Sequence, residues 1–202
     1  LGSALKDLGQ LKEAVKSYEQ ALTIKADFVD ALIQLGIYSW IDQDLDKLKS
    51  YITSKMDLNR CSKKSLKFVN PYLSLLTKLH KYRLTYPHQY LCNDQSPVMH
   101  VIGDSHCLTA ANSNVEFMGK SHTMKSNIII GCKAWHLANN QVNGYKKQFE
   151  TMVTSIPNDG IVIIIFGEID CRLDEGILKF HQKMQNNLAD SIKDLVERYT
   201  KY

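Results

Sequence analysis

Two short polar clusters carry the residues that could do chemistry. They are Gly103-Asp104-Ser105-His106 and Gly167-Glu168-Ile169-Asp170-Cys171-Arg172. Glycine permits a tight exit from a strand. A serine placed directly after such an exit, at the start of a helix, meets free backbone N–H groups and the positive end of the helix dipole. Both favour a developing negative charge. The same position also suits plain helix capping, because Asp104 and Ser105 are both favoured N-cap residues. In the second cluster Arg172 offers a planar fork of donors, which could hold a carboxylate or phosphate or stabilise an oxyanion. Its other use is an internal pair with Glu168 or a neighbouring aspartate that fixes the turn.

The elements around the clusters set where these groups would lie. Val98-Met99-His100-Val101-Ile102 is a short apolar run ending at Gly103, which reads as a buried strand. A helix is expected from about Ser105, and a second short strand from Val115 to Met118. Lys133 to about Ser155 reads as one helix with Trp135, Leu137, Val142, Tyr145, Phe149 and Met152 on its apolar side. Pro157-Asn158-Asp159-Gly160 is a turn. Ile161 to Phe166 is the clearest strand, apolar on both faces as a central parallel strand should be. A last helix over about 175–201 places Ile177, Phe180, Met184, Leu188, Ile192, Leu195 and Tyr199 on one stripe. Strand–helix alternation predicts a parallel sheet with right-handed crossovers. Ligands of such sheets bind beyond the carboxyl ends of the strands, and both polar clusters fall there.

The first half follows another rule. Leu1-Gly2 recurs as Leu35-Gly36, Leu11 as Leu45, Ala14 as Leu48 and Tyr18 as Ile52, all at one offset. With Ala4, Gly9, Ala21 and Leu22 this resembles the tetratricopeptide (TPR) pattern, whose period is about 34 residues. Small residues sit where two antiparallel helices approach, and Gly9-Gln10 makes the turn between them. Ala26 stands where the family usually has a proline. The second unit is degraded: Gln43 replaces the turn glycine and Lys55 the second alanine. It reads as a capping repeat. The likeness covers residues 1–57. Residues 58–97 form a basic connector with Leu66, Val69, Leu73, Leu76 and Leu79 at helical spacing, interrupted by Pro71 and closed by a loop containing Pro87, Asn93, Asp94, Ser96 and Pro97.

Residues 98–202 resemble an SGNH/GDSL-type hydrolase. Gly103-Asp104-Ser105 is similar to that family's nucleophile block. The resemblance implies Ser105 as nucleophile, with its own N–H as one oxyanion donor and Asp104 beside it. Gly131, followed by Cys132-Lys133-Ala134-Trp135-His136, is similar to the second block, where a glycine N–H supplies another donor; its other reading is a strand-to-helix hinge. Gly167 to Arg172 departs from the usual third block: Ile169 stands in place of the oxyanion asparagine, Asp170 matches, and Glu168 and Arg172 remain as polar groups. Gly-Glu-Ile-Asp-Cys-Arg resembles a variant of this block in one SGNH-like branch. The fold class expected is therefore α + α/β: TPR-like hairpins followed by an incomplete flavodoxin-like three-layer domain with a parallel sheet. The family's general base lies in a late Asp-x-x-His block. None of the seven histidines here has an aspartate three residues before it. His100, His106 and His181 read as sheet, turn and helix residues. A serine without a positioned base is a poor nucleophile. The sequence thus reads as a C-terminally incomplete chain that is weak or inactive as an esterase of O-acyl groups.

Composition sets the remaining bounds. The 202 residues are 44% hydrophobic with a net charge of +4. A packed core is expected, and nucleic acid is not indicated as a partner. The run Ile161–Phe166 is far too short for a membrane span, which needs roughly 20 residues. No signal peptide is expected at the start, which reads as the middle of a repeat. Arg60, Lys63, Lys64, Lys67, Lys78, Lys81 and Arg83 lie in a stretch free of acids between Asp57 and Asp94. This reads as a solvated helical face, or as a site for phosphate, anionic lipid or an acidic partner. The five cysteines, Cys61, Cys92, Cys107, Cys132 and Cys171, form no Cys-x-x-Cys pair. Neither a disulfide framework, a metal site nor a cofactor is expected, and a reduced cytoplasmic setting fits. The expected partners are a peptide or protein on the TPR-like repeats and a small ester or acylated glycan at Ser105. The competing reading is a non-catalytic TPR scaffold with a degenerate SGNH-like domain.

Overall fold

The computed structural model describes residues 1–54, 63–90, 95–174, 176–185 and 187–201, with backbone alone at 7, 63–66 and 68. Arg60, Cys61, Cys92, Asn93 and Asp94, singled out above, lie outside the described residues, as do Lys55 and the side chains of Lys63, Lys64 and Leu66. The fold is α + α/β, a helical N-terminal region followed by a four-stranded sheet with helices. Two compact units divide the chain: Leu1–Val98 with Leu108–Lys125, and Met99–Cys107 with Ser126–Tyr202.

The first unit starts with helices α1 (Gly2–Asp7), α2 (Leu11–Ile24), α3 (Val29–Ile41) and α4 (Leu45–Thr53). The repeat spacing explains their packing. A Cβ on Gly2 would come within 2.8 Å of the Tyr18 ring, so the small residue lets α1 and α2 close. Ala14, Tyr18, Ala31, Leu35 and Tyr38 form the shared core of α2 and α3. Gly9 turns α1 into α2 with φ 76, and Gln43, at the equivalent place between α3 and α4, takes φ 63. The second turn thus keeps the left-handed geometry of the first without glycine, at a cost in backbone strain. Asp44 then caps α4, accepting the Lys47 N–H at 3.1 Å.

Helix α5 (Lys63–Thr85) continues through Pro71 instead of breaking there. It packs on the second repeat: a Cβ on Gly36 would lie 3.0 Å from Leu76 Cδ1. At its far end Arg83 donates to Gln43 Oε1 at 2.9 Å and lies over the rings of Trp40 and Tyr90. The buried Trp40 donates its Nε1–H to Leu108 O at 2.8 Å, and Asn112 Nδ2 donates to Trp40 O and Ile41 O. Those bonds place residues 108–125 with the helices.

Strands β1 (Val98–Gly103), β2 (Asn114–Phe117), β3 (Lys120–Ile128) and β4 (Ile161–Ile165) form a sheet in the order β2-β3-β1-β4. β1 and β4 are parallel, with Gly103 opposite Ile165. β2 and β3 are antiparallel, joined at Met118-Gly119 with φ 49 and 73, the two left-handed residues that a tight hairpin favours. The sheet is therefore mixed. β4 is its outer strand among the described residues, with Val162, Ile164 and Ile165 exposed, and not the central strand its composition suggests.

The expected long helices are each two. Ala134–Ala138 (α6) and Gly144–Thr154 (α7) are separated by a bend, and Asn143 caps α7 by accepting the N–H groups of Tyr145 and Lys146. Ile177–Met184 (α8) ends at Gln185, which is left-handed at φ 54, and Leu188–Lys201 (α9) follows. Ile102, Ile129, Cys132 and Leu137 make the buried core of the second unit, with Tyr145, Phe149, Phe166 and Tyr199 packed against it.

Candidate functional site

β1 ends against β4 so closely that only glycine fits at its last position. A Cβ on Gly103 would meet Ile165 O at 2.5 Å. Asp104 N–H then donates to Ile165 O at 3.2 Å, and the chain enters a 3₁₀ helix, Ser105–Ala110, in place of the expected α-helix. Ser105 therefore opens a helical turn at the carboxyl end of a parallel strand. Among the described residues neither its N–H nor its hydroxyl is hydrogen-bonded.

Asp104 is 1% exposed. Its Oδ1 accepts the His106 N–H at 2.9 Å and meets His106 Nδ1 at 2.8 Å. Its Oδ2 is buried and has no hydrogen-bond partner. His106 is thus turned onto Asp104. Across the strand ends, donor atoms of Asp104, His106 and Glu168 all lie within 4.8 Å of one another. Arg172 clasps Glu168: its Nε donates to Oε1 and Oε2 at 3.0 and 3.1 Å, and its Nη2 to Oε2 at 2.8 Å. Those bonds hold the Glu168 carboxyl below its ordinary value. Partial burial opposes the shift, and the charges of Arg172 and His106 add to it. The internal Arg–Glu pair anticipated for this turn is therefore present, with both side chains still accessible to solvent.

Asp170 has a different set of partners. It is buried, and its carboxylate accepts Ala134 N–H at 2.7 Å and Trp135 N–H at 3.2 Å, closing the start of α6. Gly131, just before that helix, sits at φ 73, and Gly167 at φ 116, both in backbone territory that favours glycine. The Cys132 thiol is pushed up to about 12, first by burial and then by the negative charges of Asp170 and Asp104. Cys107 is likewise pushed up to about 12 by burial and by Asp104. Neither thiol can serve as a nucleophile near neutral pH.

His136 is stacked on Tyr145, with ring centroids 4.1 Å apart, and its Nδ1 accepts the Lys133 N–H at 3.0 Å. Burial and Lys133 lower its pKa, against the pull of Asp170. It borders a cavity of about 720 Å³ bounded also by Trp135, Asp170, Phe180, Asp194 and Arg198. In this cavity the Trp135 ring lies 5.4 Å from the Phe180 ring and 5.3 Å from the Arg198 guanidinium. Ser105 does not line it. Sequence spacing gave no sign of the cavity, which depends on how α6, α8 and α9 meet. The Asp104–His106 pair was open to detection from the i, i+2 spacing, at which an aspartate can bond its own backbone two residues on.

Residues 2–38 match the family model of the TPR repeat, a protein-interaction module. No curated protein and no solved structure matches the chain. Among the described residues no helix is long and apolar enough to cross a membrane.

Proposed function

We propose that the chain couples a TPR docking module for a peptide or protein partner to an SGNH-like serine ester hydrolase domain with Ser105 as nucleophile. The observation that carries this reading is the setting of Ser105: first residue of a helical turn, directly after a parallel strand, with N–H and hydroxyl both unengaged among the described residues. A tetrahedral oxyanion formed at Ser105 would find its N–H, and Gly131 offers a second donor on the family pattern. The substrate class is an O-acyl ester, such as an acetylated glycan, by family likeness alone.

In these 202 residues the activity is weak or absent. Ser105 is hydrogen-bonded to no histidine among the described residues, and the sequence has no Asp-x-x-His pair, so no base is in place to take its proton. That same fact favours the second reading, a TPR scaffold whose SGNH-like domain is degenerate.

Incubation with 4-nitrophenyl acetate followed by peptide mass spectrometry separates the two. Attack by Ser105 Oγ expels 4-nitrophenolate, its proton passes to solvent, and an acetyl group remains on Ser105. Slow acetylation at Ser105, absent in Ser105→Ala, with steady-state turnover near the buffer rate, is expected. Acetyl groups on lysines only would overturn the nucleophile assignment and leave the scaffold.

A further inference from the structure

We propose that the cavity bordered by α6, α8 and α9 binds a small amphipathic anion, an aromatic body carrying one carboxylate. At about 720 Å³ it has the size of clefts that hold small molecules, which span roughly 300–1,000 Å³. Its lining lies entirely within the second compact unit. The wall is largely aromatic. Trp135 of α6 and Phe180 of α8 have ring centroids 5.4 Å apart and planes tilted by 37°. Neither ring is covered: Phe180 is 37% exposed and Trp135 is half-buried. Ile177 and the buried Leu195 extend the apolar surface. The indole also has a fixed neighbour. Arg198 lies 5.3 Å from its centroid and is itself paired with Asp194 at 2.5 Å. A ring entering the cavity therefore meets an aromatic surface that is already ordered, where offset or edge contacts are favourable.

Charge sets the sign of the ligand. The cations of the lining are Lys133, Lys179, Lys183 and Arg198, and its acids are Asp170, Asp190 and Asp194. Asp170 is engaged by the Ala134 and Trp135 N–H groups, and Asp194 by Arg198. Lys179 and Lys183 stand one turn apart on α8, and among the described residues neither has an ion-pair partner. Like charges at this spacing repel, and an anion held beside them offsets that repulsion. A bare anion would gain only an exposed charge contact, which is weak in water. An uncharged ring would cover the aromatic wall and leave the lysines unmatched. A carboxylate on an aromatic body uses both features. Ser105 does not line the cavity, so the inference stands apart from the nucleophile reading.

Calorimetric titration of the full 202-residue chain, with 2-naphthoate as probe and 2-naphthamide as its uncharged match, tests this directly. One equivalent of naphthoate should bind with a sub-millimolar Kd, as suits a probe of this size. Naphthamide should bind at least about threefold more weakly. Lys179→Gln and Lys183→Gln together should weaken naphthoate at least about threefold and leave naphthamide unchanged. Phe180→Ala should weaken both probes. Lys193→Gln, on α9 but outside the cavity, should change neither. All four positions are exposed, and circular dichroism checks that each variant keeps the fold. No binding of naphthoate, equal affinity for the two probes, indifference to Phe180→Ala, or a loss in Lys193→Gln equal to that of the double variant would overturn the site.

Discussion

Asp170 accepts the Ala134 backbone N–H at 2.7 Å, and the Trp135 N–H beside it at 3.2 Å. Both are orphan donors of the first turn of α6, which no intrahelical carbonyl can reach. The carboxylate that sequence likeness places among the oxyanion and substrate groups thus has an architectural task. Asp170→Asn keeps the volume but turns one acceptor into a donor facing an N–H. Urea unfolding should show a loss of about 1–3 kcal/mol, the usual cost of a buried donor left unsatisfied. Ser105 acetylation should stay within a few-fold of the parent rate. Unchanged stability with lost acetylation would reverse the assignment and make Asp170 a substrate group.

Two glycines of the site are small for different reasons, and substitution separates them. At Gly103 the constraint is space: a Cβ would sit 2.5 Å from Ile165 O and 3.3 Å from Cys107 Cβ, so strand and turn must part. At Gly131 the constraint is φ 73, with only Tyr145 Oη, at 3.8 Å, near the added atom. Gly131→Ala should cost about 1–2 kcal/mol of left-handed strain, and Gly131→Asn less, because asparagine tolerates that region. Gly103→Ala should cost about 1–3 kcal/mol or more from overpacking, and Gly103→Asn more again. Thermal melts of the four variants give the order. If asparagine were worse than alanine at Gly131, packing and not backbone conformation would govern that position.

The TPR likeness was legible because its residues are read by shape. Gly2 must admit Tyr18, Ala14 must disappear into the core, and Gly9 must turn left-handed, so spacing alone reveals them. Gln43 shows the limit of such reading, since it keeps the geometry while losing the glycine. β3 escaped notice because its buried face carries His122, Met124 and Ser126, which do not read as an apolar alternation. Ser126 hides there by donating to Cys107 O. Ile161–Ile165 is a strand as expected but lies at the outside of the sheet among the described residues, because an apolar run reports hydrophobicity and not which neighbours are present. The breaks after α6 and α8 rest on local bonds, the Asn143 cap and the left-handed Gln185, that leave the apolar stripe uninterrupted. At the site, strand order placed the two polar clusters together. It could not show that His106 turns to Asp104, or that Asp104 Oδ2 is left without a donor.

His136 supplies a pH test of the packing around α6. Its Nδ1 accepts the Lys133 N–H at 3.0 Å, and its ring lies on Tyr145, so the folded state needs that nitrogen unprotonated. Burial and then Lys133 lower its pKa in the fold. The unfolded chain, near the ordinary value of about 6.5, therefore takes up the proton first as pH falls. The stability contributed by the neutral ring is complete above that value and is lost as pH drops from it towards the lower folded pKa. His80 is also depressed by burial and shares in the acid loss of stability, so the total slope does not isolate His136. A difference does. The gap in unfolding free energy between the parent and His136→Gln should be widest at pH 7.5 and shrink towards pH 5, while a His80→Gln background leaves that shrinkage in place. Direct observation of the His136 ring protons by NMR should give a midpoint below 6.5. A gap that stays constant across this pH range would mean that the ring is accessible to protons in the fold and that the Lys133 hydrogen bond contributes nothing to α6.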